Sequence, residues 1–214
     1  MQRSSDLDVQ PSGRMSTILR SNGPIQVVIS SRHDVYALQA ALRLIHAMNV
    51  YHKLDAVVVD ASEMSSSIHR GASGLSNIVV LGGGNNNFLK ALLASGDTPF
   101  TINEEGLLLN DRQLSHDSTA LFLHPHPVSS TAAVMVMYAG SEAAMERALR
   151  LFPIRTGIAV PDWIVVDERV DKLGAGGVQA AGSVPPITIH CSRLTSGYRV
   201  WGDRWSWNGG MSSF

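Results

Sequence analysis

The chain has 214 residues, 44% of them hydrophobic and 16% charged, with 17 lysines and arginines against 18 acidic residues. That is length for one large domain or two small ones, with enough apolar mass to bury a core, and it argues against wholesale disorder. A net charge of -1 without a basic, aromatic-interleaved stripe argues against nucleic acid and membrane surfaces, which demand concentrated positive charge; a small molecule or a protein is the better partner.

Residues 1–24 are polar and carry Pro11, Gly13, Gly23 and Pro24, which reads as a disordered leader without the apolar stretch of an export signal. No later segment has the length of a membrane span. "IQVVIS" at 25–30 predicts a buried strand. Asp34 then stands as N-cap of a helix over 34–52, with Val35, Leu38, Leu42, Ile45 and Asn49 at helical spacing. "DAVVVD" at 55–60 completes a β-α-β unit and predicts a parallel pair with a right-handed crossover.

Residues 62–74 read as a polar connection or a short helix, and 77–95 repeat the grammar of strand, glycine turn and helix, adding a third parallel strand. Past Pro99 the pattern alternates around "EEG" and "ND" turn signals, predicting a small antiparallel excursion at about 100–118. "TALFLHPHP" and "AAVMVMYAG" are further strands, the second leading into a helix at 141–152 with Ser141 as N-cap, and "DWIVVD" at 162–167 closes the sheet. The expected fold is α/β: a three-layer, Rossmann-like, mostly parallel sheet over 25–182 with the small antiparallel excursion. "GAGGVQAAG" at 174–182 is too glycine-rich for a helix. Residues 183–200 form an irregular insertion, and 201–214, with Trp201, Trp205 and Trp207, a tail that docks its rings onto the body.

Candidate chemistry gathers in few places. His124 and His126, two apart at the end of an apolar strand, project from one face and could share a metal or act as acid and base; His116 and Asp117 lie upstream as further members, and His190 could come from the tail. The competing reading is the shaped end of a strand whose imidazoles bond neighbouring loops. Gly82, Gly83, Gly84 and Asn85 form a glycine turn that could cradle a phosphate, but the spacing fits neither the dinucleotide fingerprint nor a Walker pattern. A tight turn with an asparagine cap fits better. Arg155 could clamp a carboxylate. His33 follows the first strand, His52 lies on or just beyond the helix, and His46 reads as a partly buried packing histidine. No serine elbow of the G-x-S-x-G kind occurs. Cys191, the one cysteine, permits no intrachain disulfide, and its neighbour His190 points away from it on any strand. No metal and no cofactor is expected.

The stretches "NIVVLGGGNNNF", "GLLLNDRQLSHDSTALFLHPHP", "AVMVMYAGSEAAMERALRLFPIRTGIAVPDWIVV" and "GAGGVQAAG", with the "WGDRWSWN" tail, resemble the non-catalytic region of large secreted microbial and fungal α/β-hydrolase proteins of the prolyl-oligopeptidase type. The resemblance implies an accessory, non-catalytic domain that packs against a hydrolase catalytic domain or helps bind its peptide or polymer substrate, within a secreted parent protein. The hydrolytic triad of such proteins belongs to another domain, so no catalytic residue carries over. Relatives that show "YPNP" in place of "HPHP" weaken the metal reading. Residues 183–200 break an expected run from "AAG" into "WGDRW", the signature of a loop insertion or a translated intron, and Met1 to Asn22 reads as an artificial start. The alternative function is a stand-alone small-molecule enzyme whose site collects His124, His126, His116 and Asp117 at the end of the sheet.

Overall fold

The computed structural model describes residues 15–70, 76–96, 98–129, 131–152 and 161–182. Arg155, His190, Cys191, the insertion at 183–200, the tryptophan tail and residues 1–14 lie outside them. In chain order come β1 (Ile25–Ile29), α1 (Val35–His52), β2 (Ala56–Asp60), α2 (Ala61–His69), β3 (Ile78–Gly82) and α3 (Asn87–Leu93), then the short strands β4 (Phe100–Asn103), β5 (Gly106–Leu109) and β6 (Arg112–Gln113). The chain continues through β7 (Thr119–Pro125), β8 (Ala133–Ala139), α4 (Glu142–Leu151), β9 (Trp163–Val166), α5 (Val170–Leu173) and β10 (Val178–Gly182).

The long strands form one seven-stranded sheet ordered β10-β9-β7-β8-β3-β1-β2, and β4, β5 and β6 a separate three-stranded antiparallel sheet. β2, β1, β3 and β8 are mutually parallel; β7 is antiparallel to both β8 and β9, and β10 to β9. The α/β class, the mostly parallel sheet and the antiparallel excursion are thus present. The sheet buries both faces. On one, Val27, Val79, Leu121 and Met137 pack with Ala41 and Leu44 of α1 and Met145 and Ala148 of α4. On the other, Val28, Val80, Phe122 and Val136 pack with Met64 of α2, Leu89 and Leu92 of α3, and Phe100 and Leu107 of the small sheet.

Local chemistry explains the elements. Asp34 caps α1 by accepting from the Ala37 N–H at 3.0 Å, and Ser141 caps α4 by accepting from the Ala144 N–H at 3.2 Å. The Asn103 side chain accepts from the N–H groups of Glu105 and Gly106, both at 2.9 Å, which turns β4 into β5. Asn110 and Asp111, with φ of 49° and 65°, make the turn into β6, a conformation these two residue types tolerate. Phe100 stacks on Phe122, centroids 4.0 Å apart, and meets Trp163 edge-on, so two aromatic contacts fasten the small sheet to the large one.

Several expectations need correction. Residues 15–24 are not a disordered leader: Met15–Leu19 forms a 3-10 turn whose Met15 and Ile18 are fully buried, an i, i+3 apolar pair hidden among polar neighbours. The expected stripe of α1 is buried only in part: Leu38 and Ile45 pack against the core, but Val35 and Leu42 are 65% and 53% exposed, and the fully buried line is Ala37, Ala40, Ala41, Leu44 and Met48. His46, on the opposite side of α1 from that stripe, is exposed rather than partly buried. β9 does not close the sheet. The glycine-rich segment supplies a 3-10 turn, Gly174–Gly177, and then β10, which forms the edge.

Asn77, immediately before β3, is 3% exposed. Its amide donates to the carbonyls of Ile18 (2.9 Å) and Arg20 (3.1 Å) and accepts from the Ala133 N–H (2.9 Å); its backbone N–H donates to Ser21 Oγ (3.0 Å) and its carbonyl accepts from the Gln26 N–H (3.0 Å). Asn77→Ala leaves several buried partners unsatisfied and should lower the unfolding free energy by about 2–4 kcal/mol in denaturant titration.

Asp171 accepts from Arg147 Nε at 2.8 Å and also pairs with Arg150, joining α5 to α4. Hydrogen bonds from Arg147 and then Arg150 hold its carboxyl below the usual 3.8. The resulting stabilisation is present above pH 3.8 and is lost as pH falls through the lower folded value. Asp171→Asn should therefore lower the melting temperature at pH 7 and converge with the parent protein in strong acid, as read by melts across pH.

Candidate functional site

β1 continues through α1 on one face of the sheet and β3 through α3 on the other, so the loops leaving these adjacent parallel strands part. Such a crossing point, outside the carboxyl ends of the strands, is where open α/β sheets form ligand crevices. A cleft of about 460 Å³ lies there, between the loop after β1, the glycine turn after β3, the start of α4 and the tip of the β4–β5 hairpin.

The glycine turn is built for close approach. Gly82 has φ of 131°, a region side chains rarely enter, and a Cβ on Gly83 would stand 2.7 Å from the Ala139 carbonyl oxygen. Asn86 is fully buried behind it. Its side chain donates to the Leu81 carbonyl at 3.2 Å and accepts from the Leu89 N–H at 3.1 Å, fixing strand end to helix start. Gly140 opposite is equally confined, 2.4 Å from the His116 carbonyl oxygen by the same measure, whereas Gly84 faces open space.

The walls are acidic. Asp34 and Glu142 stand at the starts of α1 and α4, Glu104 and Glu105 at the hairpin tip, and neither lysine nor arginine lines the cleft among the described residues. Tyr36 spans α1 and α4, donating to the Glu142 carbonyl (3.0 Å) and lying 3.3 Å from Glu146 Oε1; burial and then the Glu146 carboxylate push its phenol up. The hydrogen bond from Arg43 holds Glu146 below the usual carboxylate range. Tyr138, 4% exposed, forms part of the lining, and burial raises its phenol against a hydrogen bond from the Leu107 backbone.

The expected residues divide. Gly82, Gly83, Gly84, Asn85 and His116 line the cleft, and Asp117 holds its edge by accepting from Ser141 Oγ at 2.7 Å. His116 and Asp117 are 72% and 53% exposed, with 4.0 Å between Nδ1 and Oδ1. His124 and His126 are elsewhere. β7 runs antiparallel, so Thr119 pairs with Ala139 at the cleft end and His124 with Val134 at the other, about 17 Å away at ~3.4 Å per residue. The two histidines thus sit at the amino ends of the parallel strands, and the four-residue site expected at one end of the sheet is not assembled. Both are buried. His124 Nδ1 donates to the Pro125 carbonyl at 2.7 Å and Nε2 lies 3.5 Å from Ser95 Oγ; His126 Nδ1 accepts from the Val128 N–H at 3.3 Å. These are loop-fastening contacts. No group of three histidine, cysteine or acidic side chains converges on a metal-sized point among the described residues.

Glu104, Glu105, Tyr138 and Glu142 carry no signal that points to a site from sequence alone, since a hairpin tip, an apolar strand and a helix start account for each.

No family model matches the chain. It is similar to an "Uncharacterized secreted protein" of Arthroderma benhamiae, with 24% identity over 175 residues, covering 78% of this chain and 18% of that protein. The chain thus spans less than a fifth of the length of that relative. Among the described residues, no helix is long and apolar enough to cross a membrane.

The glycine turn yields a paired test. Gly83→Ala and Gly140→Ala should each destabilise by about 1–3 kcal/mol through backbone overpacking, while Gly84→Ala stays within about 0.5 kcal/mol, all by denaturant unfolding.

Proposed function

We propose that this chain is an accessory, non-catalytic α/β module of a larger secreted protein, in which it packs against a hydrolase catalytic unit of the prolyl-oligopeptidase type or helps bind its peptide or polymer substrate. The observation that carries this reading is the relation of lengths: most of the chain is similar to less than a fifth of a much longer protein named as secreted. The scaffold suits it. Four adjacent parallel strands with oppositely directed crossovers at β1 and β3 support reading it as a doubly wound, Rossmann-like module, a kind that offers a crevice at the strand ends. The dispersal of His116 and Asp117 from His124 and His126 disfavours a stand-alone enzyme built on those groups.

An antibody raised against residues 77–167 tests the reading on cell extract and culture fluid. A band far above 23.0 kDa outside the cell, with peptidase or esterase activity in the same immunoprecipitate, is the expected result. A band at 23.0 kDa confined to the cell overturns it.

A further inference from the structure

We infer that Asn22 is a self-modifying site: the Gly23 backbone nitrogen displaces its side-chain amide, water completes the reaction, and an aspartate or isoaspartate link forms between the amino-terminal turn and β1.

Among the described residues, Asn22 is the one asparagine followed by glycine. The pair lies in a bend between the 3-10 turn and β1, with Asn22 exposed to water. No hydrogen bond from the described residues holds the Asn22 amide or the Gly23 N–H, so electrophile and nucleophile are both at liberty. Other exposed asparagines lack one of these conditions. The nitrogen after Asn85 donates to the Gly83 carbonyl at 3.1 Å, and the nitrogen after Asn110 is shielded by the Asp111 side chain. Packing asks for glycine at position 23, since a Cβ there would stand 2.8 Å from Ser76 Oγ. The residue that fits the bend thus carries the unshielded nitrogen that the chemistry needs.

The reaction balances with water as co-reactant. The Gly23 nitrogen gives up its proton and bonds to Asn22 Cγ; the Cγ–Nδ2 bond breaks and ammonia leaves with that proton, closing a succinimide. Water then opens the ring. Breaking the bond from nitrogen to Cγ leaves aspartate. Breaking the bond from nitrogen to the Asn22 backbone carbonyl carbon leaves isoaspartate, with the main chain routed through Cγ and one atom longer.

Position gives the extra atom its effect. Just before the pair, the Arg20 carbonyl and Ser21 Oγ are bonded to Asn77; just after it, the Ile25 N–H donates to the Asp55 carbonyl at 2.8 Å. An added main-chain atom between these fixed points pulls on the buried amide network of Asn77.

Ageing the full chain at physiological temperature in neutral and mildly alkaline buffer, with tryptic mapping against an unaged sample, tests the inference. Peptide 21–32 should gain the mass of an amide-to-acid exchange, faster in alkaline buffer because the attacking nitrogen must lose its proton. Conversion should run at least about tenfold faster than at Asn110 in the same digest, because glycine leaves the nitrogen open. The isoaspartate form, separated by anion exchange, should melt below the parent protein. Asn22→Asp, which adds the charge without lengthening the chain, should melt near the parent, and Asn22→Gln should resist both conversion and the loss of stability on ageing. Conversion at Asn22 no faster than at Asn110 overturns the site, and an isoaspartate form that melts with the parent overturns its pull on Asn77.

Discussion

The side-chain amide of Asn77 is the constraint on which the arrangement of the sheet depends. It stands at the start of the central strand and bonds at once to the amino-terminal turn and to the first residue of β8, while its own backbone bonds to β1 and Ser21. Withdrawn from water, such a group is tolerated only when every donor and acceptor is met, which here requires three separate pieces of chain to arrive in one register. Asn86 does the same at the other end of β3, between the Leu81 carbonyl and the Leu89 N–H. The central strand is therefore pinned by a buried amide at each end, and the glycine turn that borders the cleft hangs from the second of them.

Much of this was legible in the order of the residues. Asp34, Ser141 and the asparagines before α3 mark helix starts because their short polar side chains satisfy first-turn N–H groups, and the "EEG" and "ND" pairs mark hairpin turns by the backbone they tolerate. Strand direction was not legible. "TALFLHP" shows no alternation of apolar and polar positions because β7 is buried along its whole length, and such a run reads the same whether it climbs or descends. Reversing it carries His124 and His126 from the cleft end to the far end, which is why the two histidines separate from His116 and Asp117. The α1 stripe is shifted for another reason. Helical spacing is satisfied by Val35, Leu38, Leu42 and Ile45 and equally by Ala37, Ala41, Leu44 and Met48; the sheet takes the second line fully, Leu38 and Ile45 partly, and leaves Val35 and Leu42 exposed.

The site follows from this geometry. Opposite crossovers at β1 and β3 open the cleft, close glycine contacts at Gly83 and Gly140 hold its walls near one another, and the small sheet brings Glu104 and Glu105 over it. The aromatic contacts of Phe100 with Phe122 and Trp163 are what place that hairpin, so a stacking interaction in the core sets the position of charges at the rim.

The position of β8 has a kinetic side. Ile78 pairs with Val134, so the central parallel pairing closes a loop of more than fifty residues that holds α3, the small sheet and β7. By contrast β7 and β8 are joined by a short connection and match residue for residue from Thr119–Ala139 to Pro125–Ala133. Loop-closure entropy favours the local antiparallel pair over the distant parallel one. In the folded chain it is Asn77, meeting Ala133 at the start of β8, that ties this distant parallel pair together in its observed register.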